Sequence, residues 1–88
     1  MDSNTANLHS LDQLRSGQSA YINKIDLTGI LRRRIFDLGF IPGTPIKCIR
    51  HSPAGNPIAY SIRGTTIAIR NEDAAHIHVD LSMEEDHV

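Results

Sequence analysis

The ten-residue stretch Asp37–Ile46, DLGFIPGTPI, places two glycines and two prolines among apolar residues. Glycine adopts positive φ at little cost, and proline fixes φ at about −65°. Gly39 can therefore supply the left-handed residue that commonly follows the last helical position. Pro42 and Gly43 suit the two central positions of a type II turn. This stretch predicts that the chain leaves a helix, reverses direction and enters a strand.

The residues that lead into this stretch have helical periodicity. In the segment 27–40, LTGILRRRIFDLGF, Thr28 is suited to cap the N-terminus of a helix. At helical spacing, one apolar sector collects Leu27, Ile30, Leu31, Ile35 and Leu38. Arg32 and Arg33 point away from this sector, and Phe36 lies nearly opposite. We therefore expect one amphipathic helix whose apolar sector faces the core.

Apolar residues in the rest of the chain recur with the period of two that is typical of strands. The runs are SAYINKI before the helix, then PIKCIRH, IAYSIR, TTIAIR and IHVDL after it. Short helical turns are expected at SLDQL, capped by Ser10, and at NEDAAHI, capped by Asn71. The pattern predicts a mainly β fold, a small barrel of about five strands with one α-helix inserted after the first.

The charges are unevenly distributed, although the net formal charge of the 88 residues is only −1. Between Gln13 and Arg70 there are nine cations and two acids, hence a net charge of +7, whereas six acids follow from Asn71 onward. This asymmetry favours a partner with an acidic surface, or screening by the acidic tail. Ordinary solvated charge is the simpler interpretation.

The length allows one domain, which we place at residues 11–81. Residues 1–10 are polar and unlike a secretory signal, and residues 82–88 are acidic, so we expect both to be flexible tails. No apolar run approaches the roughly 18 residues that a membrane helix needs. The lone Cys48 cannot form an internal disulfide. These features predict a cytoplasmic protein without direct membrane insertion.

Catalytic motifs are absent from the sequence. There is no glycine-rich phosphate loop with Lys-Ser/Thr, and neither Ser52 nor Ser61 has a context that would activate a nucleophile. Cys48 lies in the middle of a predicted strand, which favours a buried, inert thiol. We expect no enzyme activity and no cofactor.

A metal site is conceivable on the last strand, because His76 and His78 are two residues apart and Asp80 follows. Two imidazoles and a carboxylate form a ligand set that ferrous iron accepts. The alternative is an outward polar face opposite Ile77 and Val79, and the alternation of the strand favours it. We therefore expect no tight ferrous site.

A partner-binding surface is the better functional hypothesis. Arg32, Arg33 and Phe36 lie on the solvent side of the predicted helix, and Phe40 and Ile41 follow in the turn. Arginine and aromatic residues are enriched at protein interfaces. In the alternative interpretation, Phe40 and Ile41 plug the mouth of the barrel and the arginines are merely solvated. Both interpretations remain open at this point.

The segment LRRRIFDLGFIPGTPIKCIRHSPAGNPIAYSIRGTTIAIRNEDAAHIHV resembles the ferrous-iron transport protein A (FeoA) family. The shared features are the run Arg34–Phe40, the Pro42–Thr44 turn, the SPAGNPI hairpin, the IRGTTIAIR strands and the Asp-Ala step. Asn56 departs from the aspartate of many relatives, but suits the same turn. The resemblance implies an SH3-like barrel that acts as a small cytosolic, non-catalytic accessory of a bacterial ferrous-iron transporter, FeoB, a membrane protein with a GTP-binding domain.

Three alternative functions compete with this one. A nucleic-acid-binding barrel would use basic faces and stacked aromatics, but the four aromatic residues are not clustered with the cations, so no nucleic-acid partner is expected. A metallochaperone would carry ferrous iron on the histidine face, which lacks a convincing ligand set. A stand-alone repressor would need a preceding helix-turn-helix, and the sequence contains none.

Overall fold

Six short strands form one antiparallel sheet in the computed structural model, which describes residues 8–81. The strands are β1 (Leu8–Ser10), β2 (Ser19–Ile25), β3 (Pro45–His51), β4 (Ile58–Ile62), β5 (Thr65–Ile69) and β6 (Ile77–Asp80). Helix α1 (Gly29–Asp37) lies between β2 and β3, and helix α2 (Asn71–Ala74) precedes β6. A 3₁₀ turn spans Leu11–Gln13. The order across the sheet is β1-β6-β2-β3-β4-β5, which confirms the mainly β prediction.

The sixth strand, β1, differs from the expectation of about five strands. It covers the last three residues of the segment 1–10 that the sequence analysis assigned to a tail. Leu8 pairs with Asp80 and Ser10 with His78, so β1 covers an otherwise open edge of β6. Three residues are too few to show a period of two, which is why the sequence did not reveal this strand. The predictions for residues 1–7 and 82–88 lie outside the described residues.

Apolar residues at alternate positions of the strands are buried, as a period of two requires. Ile46 and Cys48 point inward from β3, and all three apolar residues of β4 at alternate positions are buried. Strand β6 buries Ile77 and Val79 and leaves His78 and Asp80 half-buried. Together with Leu11, Leu14 and one residue of α1, these side chains form a single apolar core. The period of two predicted for these runs is therefore confirmed.

Two bulges interrupt the ladders and bend the sheet around this core. The register shifts between Ile22 and Lys24 of β2, and between Cys48 and Arg50 of β3. A bulge adds one residue to a single strand, which kinks that strand and increases its twist. The second bulge falls at Ile49, which is thereby left partly exposed.

The caps of the short helical elements agree only in part with the prediction. The 3₁₀ turn begins after Ser10, whose backbone N–H donates to Gln13 Oε1 at 3.2 Å. Helix α2, in contrast, has Arg70 as its N-cap, so the expected cap at Asn71 is wrong. The Asn71 side chain instead donates to the Gly55 carbonyl at 2.7 Å, because the β3–β4 loop packs beside α2 and competes for this amide.

Helix α1 rests on the core through a different part of its surface than expected. Ile35 is buried, and Leu31 and Phe36 are partly buried against the core. Ile30 is 79% exposed and Leu38 39% exposed, although both belong to the predicted apolar sector. At 100° per residue, Ile30 lies about 140° around the helix from Ile35. The side of α1 that faces the core is therefore rotated toward Phe36.

Candidate protein-binding surface

The C-terminal end of α1 is fixed by a Schellman motif. The Phe40 N–H donates to the Ile35 carbonyl at 3.2 Å, and the Gly39 N–H donates to the Phe36 carbonyl at 2.9 Å. Gly39 has a φ of 105°, as predicted for the residue after the helix. A Cβ at this position would lie 2.5 Å from Arg63 Cδ. The backbone conformation therefore favours glycine, and a Cβ there would also force the Arg63 side chain of the β4–β5 turn to move.

The turn after the motif separates two apolar neighbours. The Thr44 N–H donates to the Ile41 carbonyl at 3.0 Å, and Gly43 has a φ of 95°, which confirms the predicted turn. The Gly43 N–H also donates to the Ile22 carbonyl at 2.7 Å, which ties the turn to β2. Phe40 is consequently fully buried, whereas Ile41 is 49% exposed.

Arg32 and Phe36 form a stacked pair on one flank of α1. The Arg32 guanidinium carbon lies 4.5 Å from the centroid of the Phe36 ring. Residues four apart are neighbours on a helix, so the pair follows directly from the sequence spacing. A cation over an aromatic face is stabilised by about 0.5–1 kcal/mol at an exposed site. A stabilisation of this size favours the stacked orientation of the guanidinium group before any partner binds.

A shallow depression lies beside this pair. It is lined by Gly29, Arg32, Arg33, Phe36 and Asp37. Both arginines are exposed, and Phe36 is partly buried beneath Arg32. The depression therefore presents two guanidinium groups beside one aromatic ring and one carboxylate.

The structure brings together some of the five residues predicted to bind a partner. Arg32, Arg33 and Phe36 share one flank of α1, and Ile41 is exposed just beyond the end of the helix. Phe40 belongs to the hydrophobic core, so it supports this surface from below and does not form part of it. We call the set Arg32, Arg33, Phe36 and Ile41 the helix surface.

Ile30 is an exposed apolar residue that the sequence reasoning did not place at the surface. It lies in the first turn of α1 and is the most exposed large hydrophobic residue of the part that the structure describes. The sequence predicted a buried position for Ile30, because at helical spacing it belongs to the same apolar sector as Leu38. Only the orientation of α1 on the sheet reveals that Ile30 points into solvent, next to the helix surface.

The residues considered for a metal site do not assemble into one. His76 lies in the turn before β6, while His78 and Asp80 are half-buried on the strand itself. His78 is opposite Ser10 of β1 and Lys24 of β2. Within residues 8–81, no group of three His, Cys, Asp or Glu side chains could hold a metal ion. The two histidines would share a face only if both belonged to the strand, and His76 lies outside it.

Two weakly acidic groups are buried in the core. Burial raises the pKa of the Cys48 thiol, which keeps it protonated and unreactive. Burial also raises the pKa of the Tyr60 hydroxyl, with smaller contributions from the negative charges of Cys48 and Asp12. The Tyr60 hydroxyl donates to the Leu11 carbonyl at 3.3 Å. Both groups act as core residues, and neither is positioned for catalysis.

Fold and site together define a class: a small antiparallel barrel with an inserted helix that exposes arginines and apolar side chains. The chain belongs to the FeoA domain family, whose match covers residues 9–81. This family is associated with ferrous-iron transport, and it is a small SH3-like accessory domain that is not known to be catalytic. The resemblance noted from the sequence is thereby confirmed.

One relative joins this domain to a transporter in a single chain. It is the Fe(2+) transport protein A/Fe(2+) transporter FeoB fusion protein of Porphyromonas gingivalis, which is 35% identical over 71 residues. The match covers 81% of this chain but only 8% of the fusion protein. The chain therefore corresponds to one small part of that relative.

Solved structures of family members have the same fold. The solution structure of iron(II) transport protein A from Clostridium thermocellum has a TM-score of 0.78 and 30% identity, covering 82% of this chain and 44% of that one. The zinc-complexed crystal structure of Stenotrophomonas maltophilia FeoA, described as a procaryotic SH3 domain protein, has a TM-score of 0.72 and 27% identity. It covers 83% of this chain and 91% of that one. These similarities confirm the SH3-like fold.

Helices in the described part of the chain are all too short or too polar to span a membrane.

Proposed function

We propose that this protein is an accessory of a FeoB-type ferrous-iron transporter and binds its cytosolic part through the helix surface. The observation that carries the proposal is the Porphyromonas gingivalis fusion, in which a homologous domain and the transporter form one chain. Fusion holds two domains at a high effective concentration without further contact energy. Where the same two parts are separate chains, a binding surface has to supply that association.

The helix surface has the composition of a protein contact. Arginine and aromatic residues are enriched in the centre of interfaces, where a guanidinium can bind a carboxylate with two hydrogen bonds. Arg32 is already held on Phe36, so less conformational entropy is lost when it is ordered by a partner. Arg33 is exposed and points its charge outward. Ile41 and the neighbouring Ile30 add exposed apolar area at both ends of α1.

An accessory role by contact also agrees with the chemistry of the core. The Cys48 thiol is buried, and the Tyr60 hydroxyl is hydrogen-bonded inside the barrel. Neither group reaches the helix surface. The exposed groups there are guanidinium groups, a carboxylate and apolar side chains, which suit recognition of an acidic protein surface.

Direct binding to the purified, detergent-solubilised full-length transporter tests this proposal, with and without GTP. Arg33→Glu reverses the charge at the centre of the helix surface. We expect the affinity to fall on the order of tenfold, while the thermal midpoint stays within a few degrees of the parent. Arg50→Glu is the matched control, because Arg50 is an exposed cation on β3 and makes the same charge change elsewhere.

The two variants separate a specific contact from a general charge effect. A loss confined to Arg33→Glu supports the helix surface. Equal losses of affinity in both variants would indicate non-specific attraction between a basic barrel and an acidic partner instead of a contact at the helix surface. Absence of binding by the parent protein in every nucleotide state would contradict the proposed function itself.

A further inference from the structure

Strand β5 forms a free edge of the sheet. In the strand order it is terminal, and within residues 8–81 it pairs only with β4. An edge strand presents unpaired backbone N–H and C=O groups that can accept another strand. Among the described residues, the opposite edge of the sheet belongs to β1, which has only three residues. β5 has five residues and is therefore the longer edge at which a strand can be added.

The register identifies which backbone groups of β5 point outward. Ile62 and Thr65 flank the two-residue turn Arg63-Gly64, so they form a hydrogen-bonded pair. Hydrogen-bonded and non-hydrogen-bonded pairs alternate along an antiparallel ladder. Thr66 and Ala68 consequently direct their N–H and C=O groups away from β4. Both residues are exposed, and in the described part of the chain no backbone hydrogen bond outside the ladder engages either one.

A groove runs between this edge and α1. Its volume is about 220 Å³, and its floor is apolar, with Leu31 and Leu38 from the helix and Ile67 from β5. Leu38 remains 39% exposed there, although it is a large aliphatic residue. A side chain that entered the groove would therefore bury apolar area that is now in contact with water.

Cations predominate among the charged residues of the groove. Arg34 from α1 and Arg70 after β5 are exposed and line it together with one half-buried acid, Asp73. The excess of positive charge favours carboxylates near the ends of the groove. A bound strand directs every second side chain into the groove, so apolar residues in the middle of that set and acidic residues at its ends match both features.

We propose that the β5 edge and this groove bind an extended segment of another protein whose groove-facing residues are apolar in the middle and acidic at the ends. The segment adds a strand beside β5 and pairs with the outward backbone groups of Thr66 and Ala68. Its apolar side chains enter the groove against Leu31 and Leu38, and its carboxylates meet Arg34 and Arg70. Backbone pairing supplies affinity and the groove supplies selectivity, as in other cases of strand addition.

This site is separate from the helix surface. Arg32 and Phe36 lie on one flank of α1, whereas Leu31 and Leu38 line the groove on the other flank. The proposal therefore stands or fails without any contact to the transporter, and the two can be tested independently.

The test is an NMR titration of the full chain with the capped peptide Glu-Thr-Val-Thr-Val-Thr-Glu, whose valines and glutamates lie on one face of a strand. We expect a Kd on the order of 0.1–1 mM, because a short flexible peptide loses much of its contact energy to ordering. Amide shifts should concentrate in β5 and in the groove side of α1, and exchange of the Thr66 and Ala68 amides with solvent should slow. The peptide with lysine in place of glutamate should bind at least about tenfold more weakly.

Two variants check the mechanism of this binding. Ala68→Pro removes one outward N–H, and proline is tolerated at an edge position that does not donate to the ladder. Arg34→Glu leaves the strand intact and reverses one charge of the groove. Each should weaken binding by about tenfold. Arg33→Glu, on the other flank of α1, is the control and should bind the peptide like the parent.

Several results would overturn the proposal. One is the absence of shifts in β5 at a peptide concentration of several Kd, or equal binding of the lysine peptide. Concentration-dependent shifts of Thr66 and Ala68 without peptide, with a doubled hydrodynamic mass, would assign the edge to a second copy of the chain. Binding that appears only after removal of residues 82–88 would assign the groove to the chain's own acidic segment.

Discussion

Gly39→Ala tests two reasons why glycine stands at the end of α1: the positive φ of this residue and the closeness of the Arg63 side chain. Alanine at a φ of 105° is strained, and a non-glycine residue in the left-handed region costs about 1–2 kcal/mol. The new Cβ would also lie 2.5 Å from Arg63 Cδ, so the arginine has to leave its position. Forcing a side chain off its preferred rotamer costs of order 0.5–1.5 kcal/mol. The expected loss in the free energy of unfolding is therefore about 1.5–3.5 kcal/mol.

The matched control is Gly43→Ala, four residues further along. Gly43 has a φ of 95°, but a Cβ there would meet no atom within 4 Å. This variant should lose only the backbone contribution of about 1–2 kcal/mol. Urea unfolding of both variants, with and without Arg63→Ala, measures the difference as a coupling energy. The double variant Gly39→Ala/Arg63→Ala should recover the part of the loss that is due to the arginine.

Equal destabilisation by Gly39→Ala and Gly43→Ala would refute the steric half of this reasoning. A Gly39→Ala protein as stable as the parent would refute both halves, because the helix would then not end in a left-handed residue. The more severe Gly39→Val should be at least as destabilised, since a β-branched residue tolerates positive φ poorly.

Two further predictions concern the core and a loop. The raised pKa values of Cys48 and Tyr60 mean that the folded state holds their protons more tightly than the unfolded state, so the free energy of unfolding should fall as pH rises above about 9. Tyr60→Phe should flatten this alkaline loss in urea titrations, and an unchanged slope would contradict the assignment. Asn71→Ala removes the hydrogen bond to the Gly55 carbonyl and should lower the free energy of unfolding by about 1–2 kcal/mol in the same assay. Asn71→Asp keeps the size of the side chain but also lacks the N–H donor, so its loss should be similar.

Turn chemistry and strand alternation were predictable because they are local requirements. The positive φ of Gly39 and the Pro42-Gly43 turn depend only on neighbouring backbone atoms, so the sequence specifies them directly. The inward residues of β3, β4 and β6 follow from the period of two, provided that one face of the sheet is buried. These elements need no knowledge of the rest of the fold.

Features that depend on distant contacts were not predictable. The exposure of Ile30 depends on how α1 is rotated on the sheet, and the helical pattern leaves several orientations open. Strand β1 forms because β6 offers it an edge, not because its three residues favour a strand. Asn71 bonds to Gly55, sixteen residues earlier, and this partner outcompeted a local cap.

The candidate surface was predictable to the extent that helical spacing determines it. The four-residue separation of Arg32 and Phe36 places them side by side, and the structure shows them stacked. Phe40 is buried, as the interpretation that it plugs the barrel requires, whereas Ile41 is exposed and stays a predicted contact residue. The cause is the Schellman motif, whose second residue beyond the cap packs back onto the last turn of the helix.

The residues that end α1 and the exposed residues of the helix surface lie in one segment of the chain. Gly39 positions Phe40 in the core, and Phe40 in turn fixes where Ile41 leaves the helix. A Gly39 variant that bound the transporter poorly would therefore not locate the contact, because it changes the fold and the surface together. Arg33→Glu changes the exposed charge without touching the motif, so only a binding loss in that variant, at unchanged stability, locates the contact on α1.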